Sequence, residues 1–561
     1  LQGEKFKRVL DELRKDGYEI PDTRKPVQPL TNLPNAEGLT EPQEKPCIIV
    51  NNRELCDVTT ESIHAMVKAN DPPMLFVRGG MLTRIGYDER GNPRILTLSD
   101  DGVRGMLTRC ARFQKIKTKW GNEIVVDVSP PVDVVKDIMA LGEWPFPPLV
   151  NITESPIIRS DGSIMDTPGY DRMSMLYYQP PNGFVLPPIP DSPSDQDVET
   201  AVATIGEILK DFPFDDDASR ANAIATLITP VVRTLFHGPV PMALFDKPQA
   251  GTGASILAEI ISIIVTGREC PMLTVPEMDD EWRKTITSVL MAGRMVTVFD
   301  NIEGVLYSPT LAAVLTSEVY SCRLLGKNQM ADFYNQCIWI GTGNNITLGG
   351  DLPRRCYWIR MDAKIARPWQ RTGFQIADLK GYCHEHRGSI LAAVLTLARR
   401  WVRLGKPKPK GLPTIGGYME WAHTVGGILQ AAGVPGFLGN LEGMYEQSDM
   451  ETPEWEEFVF EWHALHKEAP VSVAELVDYI LSRPTDKFSL SLPSDLTDAK
   501  IKKKGFSHKL GKALRRRLGM RFMNGLKIDK SRDKSRSGAV KWKVTVYNEE
   551  LYKMMAGTLT T

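Results

Sequence analysis

"DKPQAGTGASILAEII", residues 246–261, comes close to a phosphate-binding loop. That motif, G-x-x-x-x-G-K-[ST], needs a buried strand, a turn with inward-facing amides, and a helix whose N-terminus faces the phosphates. "MALFD" supplies the strand, Gly251-Thr252-Gly253 the turn, and "SILAEIISIIV" the helix. Gly253 and Ser255 fall on the second glycine and the hydroxyl, with Ile256 next. Pro248 stands in the first glycine's place and Ala254 in the lysine's. The stretch is either a nucleotide loop without its cation or a glycine turn before a helix. The residues downstream of it decide between them.

Two further apolar runs, "RMVTVFD" and "QCIWIGTG", repeat the character of "VPMALFD", with helical stretches between. That alternation predicts a parallel α/β sheet. The first run ends in Asp300. A buried strand that delivers a carboxylate to its C-terminal edge is what Mg²⁺ beside a phosphate loop requires, so Ser255 and Asp300 are the candidate metal residues. In many such ATPases an acid follows at once and orients the attacking water. Here that place holds Asn301, and the nearest acid, Glu303, is the candidate base. The second run ends in Asn344 and Asn345, amides suited to a terminal phosphate and its water. "DLPRRCYWIRMD" then offers Arg354 and Arg355, which from that place can reach a neighbouring subunit's nucleotide.

In this order, "PQAGTGAS", "FDNIEG", "IGTGNN" with "DLPRR", and "IARPWQRTGF" resemble the AAA+ ATPases. More closely, they resemble the ring-forming replicative helicases of phages, plasmids and other bacterial mobile elements. Those are related to superfamily 3 and MCM-type helicases and are often fused to, or encoded beside, a primase. "GGYMEWAHTVGGIL" and "GVPGFLGN" resemble the helical lid of such proteins. The resemblance implies ATP and Mg²⁺ as cofactors. It places Gly251, Thr252, Gly253, Ser255 and Asp300 at the phosphates and the metal, within a loop that includes Pro248, Ala254 and Ile256. Asn344 or Asn345 becomes a first sensor, Arg354 or Arg355 a finger acting in trans, and Arg367 or Arg371 a second sensor. "RLLGKNQMADFYNQ" resembles the hairpin that lines the central channel, with Lys327 on DNA. A hexameric ring that translocates on single-stranded DNA, with a primase or polymerase as partner, follows from the same resemblance. Ala254 is the departure. A methyl cannot make charge-assisted hydrogen bonds worth about 1.5–3 kcal/mol each. With the glycines and Ser255 intact, the loop reads as a working one that has received a Lys-to-Ala change. That predicts a chain deficient in hydrolysis that binds ATP weakly. The rivals are a non-catalytic DNA-binding or scaffold protein and an ATP-dependent origin initiator or loader.

With 561 residues, 42% of them hydrophobic and 24% charged, the chain has the composition of a soluble globular protein of several domains. It begins at Leu1, which points to the ordered part of something longer. No apolar run approaches the roughly 20 residues that span a bilayer, so no membrane partner is expected. The eight cysteines form no C-x-x-C pair, which argues for a reducing, cytoplasmic setting and against a zinc ribbon. Cys383-His384-Glu385-His386 reads as a solvated loop rather than a metal site.

The net charge of −1 hides an asymmetry: Lys500–Lys543 holds seventeen Lys or Arg against two acids. A basic module on an acidic body points to a polyanion, single-stranded or duplex DNA. There "SHKLGKALRRRL" puts Leu510, Leu514 and Leu518 on one helix face and Lys509, Lys512, Arg515 and Arg516 elsewhere. In "VKWKVTV", Val540, Trp542, Val544 and Val546 alternate with Lys541 and Lys543, and "DKSRDKSRSG" reads as a hairpin tip. "SVAELVDYIL" opens on a capping box, Ser472 with Glu475. Helix, basic helix and charged hairpin describe a winged helix-turn-helix.

The fold class expected is thus α/β: an AAA+ parallel-sheet ATPase core with a helical lid, an N-terminal α+β domain and a C-terminal winged helix. The boundaries are 1–45 for an N-terminal helix and linker, 46–184 for the α+β domain and 185–199 for a proline-rich linker. The ATPase domain follows over 200–440, connecting helices over 441–469 and the winged helix over 470–549. Within 46–184, "TTESIHAMVKAN" reads as a helix with Thr60 and Ser62 available near its start, and "SDDGVRGMLTRCARF" as another helix.

Overall fold

The computed structural model describes residues 45–324, 329–448, 451–483, 491–494, 496–497, 505–534 and 540–558. The first expected segment (all but Lys45), Lys327 and the end of the C-terminal hairpin lie outside them. Two compact units divide the chain.

The smaller unit runs to Val77 and resumes over Met81–Pro147. Strand Cys47–Ile49 pairs in parallel with Arg112–Lys119, which forms an antiparallel hairpin with Asn122–Val128. Met81–Tyr87 and Pro93–Thr97 form a second antiparallel pair. Helices Leu55–Lys68, Asp100–Cys110 and Val132–Ala140 supply Met66, Val103, Leu107 and Ile138 to one core. Ser99 caps the second helix by accepting from the Gly102 amide. Thr60 and Ser62 do not sit at a helix start. The first helix opens at Leu55, and both hydroxyls donate to carbonyls four residues back, those of Cys56 and Val58.

The larger unit takes Arg78–Gly80 and everything from Pro148 onward. It therefore includes 148–184, which the sequence reading places with the N-terminal domain. Polar contacts explain this: Ser155 Oγ donates to Val265 O at 2.6 Å, and Arg387 Nη2 donates to Glu154 O at 2.8 Å. Helix Asp195–Leu209 starts inside the expected linker because Ser194 and Asp197 close a capping box there.

Five parallel strands form the central sheet: β1 (Met242–Lys247), β2 (Met272–Leu273), β3 (Val296–Ile302), β4 (Ile338–Asn344) and β5 (Cys356–Arg360). Their spatial order is β2-β3-β4-β1-β5. Every residue of β1 is buried, as a strand covered on both faces must be. The chain leaves β1 for the far edge, returns through β3 and β4, then crosses to the other side for β5. β1 is therefore the point where the topology switches, and a crevice opens there beyond the carboxyl ends of the strands. Helix α1 (Ala254–Thr266) follows β1 directly.

Helices Leu379–Glu385 and Arg387–Arg403 pack on α1, and Met419–Ala431 packs on Arg387–Arg403 and on helix Asp217–Ile228. Cys383-His384-Glu385-His386 is not a solvated loop. Asp378 caps a helix over Leu379–Glu385, Cys383 is buried, and the His386 ring stacks on Tyr382. Among the described residues no three metal-binding side chains cluster anywhere.

At the C-terminal end, helices Glu451–His466, Val473–Ser482 and α2 (Phe506–Arg516) pack on an antiparallel sheet. Its strands are β6 (Val471–Ser472), β7 (Leu526–Lys534) and β8 (Val540–Val546), in the order β6-β8-β7. The Ser472–Glu475 capping box forms. Leu510, Leu514, Trp542 and Val544 enter the core. Leu518 does not: α2 ends at Arg516 and Leu518 is 43% exposed. Val540 is likewise exposed. β7 runs on through Asp529–Lys534, so most of the expected hairpin tip is strand.

Candidate functional site: a loop cradle at the sheet edge and a basic helix

The turn after β1 depends on two glycines in the left-handed region. Gly251 has φ +83°, and a Cβ there would lie 2.8 Å from the Trp369 backbone nitrogen. Gly253 has φ +99° and precedes the first residue of α1. Any side chain would be strained at both positions, and at Gly251 it would also collide. The loop and α1 line a cavity of about 620 Å³, within the range of small-molecule sites. Gly251, Thr252, Gly253, Ala254, Ser255 and Ile256 all line it, and so does Arg371. Pro248 and Arg367 are not among the lining residues. Arg371 is fixed there by donation to Asp211 O at 2.8 Å and by stacking against Phe374. The lining mixes two kinds of group: the loop and Lys247, and the apolar side chains of Phe212, Trp369, Phe374 and Leu379. Phe212 and Trp369 lie directly against the loop glycines. An anionic group joined to a flat aromatic one suits that mixture.

Ser255 and Asp300, far apart in sequence, meet at this edge. Ser255 Oγ donates to Asp300 Oδ1 at 2.9 Å. A bulge in the β3–β4 pairing between Phe299 and Ile302 re-aims the end of β3. Thr342 of β4 also donates to Asp300 Oδ1, at 2.5 Å, and accepts from the Asn301 amide at 3.2 Å. Gly343 permits this closeness, since a Cβ there would lie 2.7 Å from Ile302 O. Glu303 is exposed and accepts from Asn301 Nδ2 at 2.7 Å.

The two asparagines separate. Asn344 ends β4 in register with Lys247, its side chain exposed. Asn345 Oδ1 accepts from Arg360 Nη2 at 3.1 Å. Arg360 also pairs with Asp246, which accepts from the Ile346 amide at 2.8 Å. Burial nonetheless raises the Asp246 carboxyl above its ordinary value, against those two partners. Lys247, only 8% exposed, is lowered by burial, while Asp300 and Asp246 pull it back up.

The arginine pair also separates. Arg355 is nearly covered and donates to Ala312 O, to Thr316 Oγ1 at 3.3 Å and to Asp351 at 3.2 Å. Arg354 is largely exposed, with Asp351 at 2.7 Å. Neither lines the loop cavity. Sequence reasoning missed Lys247, Thr342, Trp369 and the Asp246–Arg360 pair. Only Lys247 gave a signal, as a charged residue ending an apolar run.

On α2, Lys509, Lys512, Arg515 and Arg516 are all exposed. Lys512 and Arg515 line a groove of about 530 Å³ with Ser507, His508 and the start of helix Val473–Ser482. Arg516 lines a different cavity, with Asp351 and Arg355. Lys541 and Lys543 are half-buried on β8, and Lys543 lies opposite Asp529.

No family model matches the chain, and no curated protein matches it. Among solved structures, it is similar to the A-form apo structure of the NrS-1 C-terminal region, with a TM-score of 0.34 and 9% identity over 84% of this chain and 95% of that one. A second apo structure of that region gives 0.32 and 10%, over 83% and 96%. SCCmec type IV Cch, described as an active helicase, gives 0.31 and 10%, over 84% and 92%. Likenesses at this level carry no argument about activity.

Proposed function

We propose that this chain is an ATP-dependent DNA helicase motor of AAA+ type. The observation that carries the proposal is the meeting of Ser255, just after the Gly251–Gly253 turn, with Asp300 at the carboxyl edge of one parallel sheet, where Asn344 ends the strand beside β1. The turn amides and the N-terminus of α1 would hold the phosphates. Trp369 and Phe374 would hold the base, and Arg371 a phosphate. Ser255 and Asp300 would hold Mg²⁺, which when bound neutralises charge on the transferring phosphoryl group. Asn344 is the sensor, since Asn345 is engaged by Arg360. Glu303 is the base that orients water. Arg354 is the finger that reaches a neighbouring subunit, since Arg355 is tied within its own.

A finger that acts in trans requires a ring, and a hexamer is the form proposed. The winged helix would bind duplex DNA through Lys509, Lys512, Arg515, Arg516, Lys541 and Lys543. Single-stranded DNA would run through the channel against Lys327. The setting proposed is replication of a phage or mobile element in a bacterial cytoplasm, with a primase or polymerase alongside. The test compares DNA-stimulated ATP turnover, and strand displacement on a forked duplex, between the chain and Asp300→Asn. Loss of both in the variant supports the reading. Turnover that does not depend on Asp300 removes it, and turnover without displacement leaves an origin initiator or loader.

Ala254 favours a second reading, a hydrolysis-deficient Lys-to-Ala variant or a non-catalytic DNA-binding scaffold. An Ala254→Lys chain that gains turnover supports the variant.

A further inference from the structure

The second reading assumes that the loop cation can come only from the start of α1. The same cavity holds another ammonium. Lys247 is the last residue of β1, immediately before the loop, and lines the cavity together with Gly251–Ser255. It is 8% exposed, and lysines are rarely buried unless paired. Its Nζ donates to Gly343 O at 3.4 Å, at the long limit of a hydrogen bond. An ammonium has three donors. Among the described residues Lys247 has no ion pair of its own. Asp246 is held by Arg360 and the Ile346 amide, and Asp300 receives Ser255 and Thr342 on Oδ1, so both carboxylates act on Lys247 through charge without an ion-pair contact. The fold therefore keeps an under-used, buried cation at the wall of a cradle shaped for an anion. Ala254, itself buried on that cavity, contributes only a methyl and leaves room for an ammonium arriving from the strand side.

We propose that Lys247 supplies the cation to the β- and γ-phosphates of a nucleoside triphosphate, in place of the lysine absent at Ala254. The proposal rests on the ATPase reading and deepens it: the cation is displaced to the other side of the loop, and the chain is competent for hydrolysis. In that reaction a water oxygen forms the new bond to the γ-phosphorus and gives up its proton to Glu303, the base of the proposed reading. The bond from that phosphorus to the bridging oxygen breaks, and its electron pair leaves on the diphosphate. Lys247 transfers no proton; it donates hydrogen bonds to the oxygens that gain charge.

The bland alternative is a lysine that only balances Asp246 and Asp300. DNA-stimulated turnover and binding of a fluorescent ATP analogue are measured on the full chain, Lys247→Met, Lys247→Arg, Ala254→Lys, the Lys247→Met/Ala254→Lys double variant and Asp300→Asn. Thermal unfolding checks the fold of each. The expected result is turnover in the unmodified chain, lost in Asp300→Asn and reduced at least about 100-fold in Lys247→Met, with weaker analogue binding. The double variant regains at least about tenfold over Lys247→Met. Lys247→Arg keeps the charge but not the compact ammonium; it drops at least about tenfold under the proposal and stays unchanged if charge balance is the whole role. This arm decides the matter should Lys247→Met not fold.

Full turnover in Lys247→Met or Lys247→Arg beside a dead Asp300→Asn overturns the proposal and leaves the ATPase reading standing. So does an inert unmodified chain beside an active Ala254→Lys. If all the chains, Ala254→Lys included, neither bind the analogue nor turn over ATP, the ATPase reading itself falls and takes the proposal with it.

Discussion

Replacing Thr342 by valine removes one hydroxyl from the centre of the site while keeping the side chain's shape. Thr342 is 0% exposed, so no water can take its place without rearrangement. Its hydroxyl donates to Asp300 Oδ1 at 2.5 Å and accepts from the Asn301 amide at 3.2 Å. Ser255 reaches the same Oδ1 at 2.9 Å, so both side-chain donors converge on one carboxylate oxygen. A serine that turns to a metal ion must let go of Asp300, and Thr342 is then the group that still holds the carboxylate. A hydrogen bond to a charged group is worth about 1.5–3 kcal/mol. Asp300 is half-buried and Asn301 is exposed, so solvent recovers part of the loss and about 2 kcal/mol is expected to remain. At about 1.4 kcal/mol per tenfold, that is roughly a 30-fold rise in the Mg²⁺ concentration needed for half-maximal turnover. The figure falls within the roughly 10–100-fold typical of groups that orient a metal ligand. The assay titrates Mg²⁺ at saturating ATP and DNA for the unmodified chain, Thr342→Val and Thr342→Ser. Serine keeps the hydroxyl and is expected within about threefold of the unmodified chain. A Thr342→Val chain whose Mg²⁺ dependence is unchanged would refute the reasoning, because Asp300 would then need no second donor to face a metal.

Arg354 and Arg355 separate by assay. Arg354→Ala leaves the fold intact and lowers turnover at least about 100-fold, and, if the proposed ring forms, mixing it with the unmodified chain lowers activity out of proportion to its fraction. Arg355→Ala instead lowers thermal stability, by about 1–3 kcal/mol for the carbonyl and hydroxyl left behind. Lys512→Ala and Arg515→Ala each weaken duplex binding at all sequences alike and reduce the salt slope by about 0.9 for each phosphate no longer neutralised, read by anisotropy across a salt series. Helix Glu451–His466 carries a pH dependence, since burial lowers both His463 and His466 below their ordinary value of 6.5. The unfolded chain binds those protons first, so stability is complete above pH 6.5 and falls as pH drops through the window down to the folded values. Hydrogen exchange of that helix speeds up between pH 7.5 and 5.5 once corrected for intrinsic rates, and His463→Gln with His466→Gln flattens the change.

Much of the site was legible because each part sits at the end of an apolar run. "MALFD", "RMVTVFD" and "QCIWIGTG" mark buried strands by composition, and in a parallel sheet every strand presents its carboxyl end to one edge. Asp300 could therefore be placed beside Ser255, where the two side chains do meet, without any contact being known, while the choice between Asn344 and Asn345 stayed open. The α2 face and the Ser472 cap were legible for the same local reason. The misreadings have the opposite cause. Residues 148–184 carry no run of their own that names their partner; Ser155 and Arg387 assign them to the larger unit through bonds spanning 110 and 233 residues. Leu518 fits the helical period, but the helix has already ended at Arg516.

The cation shows most sharply what a motif can and cannot specify. A pattern counted along the chain fixes the residue two places before Ile256, and there it finds a methyl. The chemistry requires only positive charge at a point beside the phosphates. That point is flanked by the start of α1, the end of β1 and the end of β4, so three segments can supply the charge. Lys247 occupies the β1 end in register with Asn344 of β4, the strand that lies between β1 and the β3 strand of Asp300. A lysine on α1 and a lysine on β1 would crowd two ammonium groups into one cavity, each disfavouring the other's charged form. On the proposal, Ala254 and Lys247 are two halves of one arrangement: the methyl on the helix spares the buried lysine on the strand a second ammonium beside it. It follows that Ala254→Lys in the presence of Lys247 gains little or loses, whereas the same substitution after Lys247→Met restores turnover. That reversal of sign across the double-mutant cycle would not arise from a loop that had simply lost its cation.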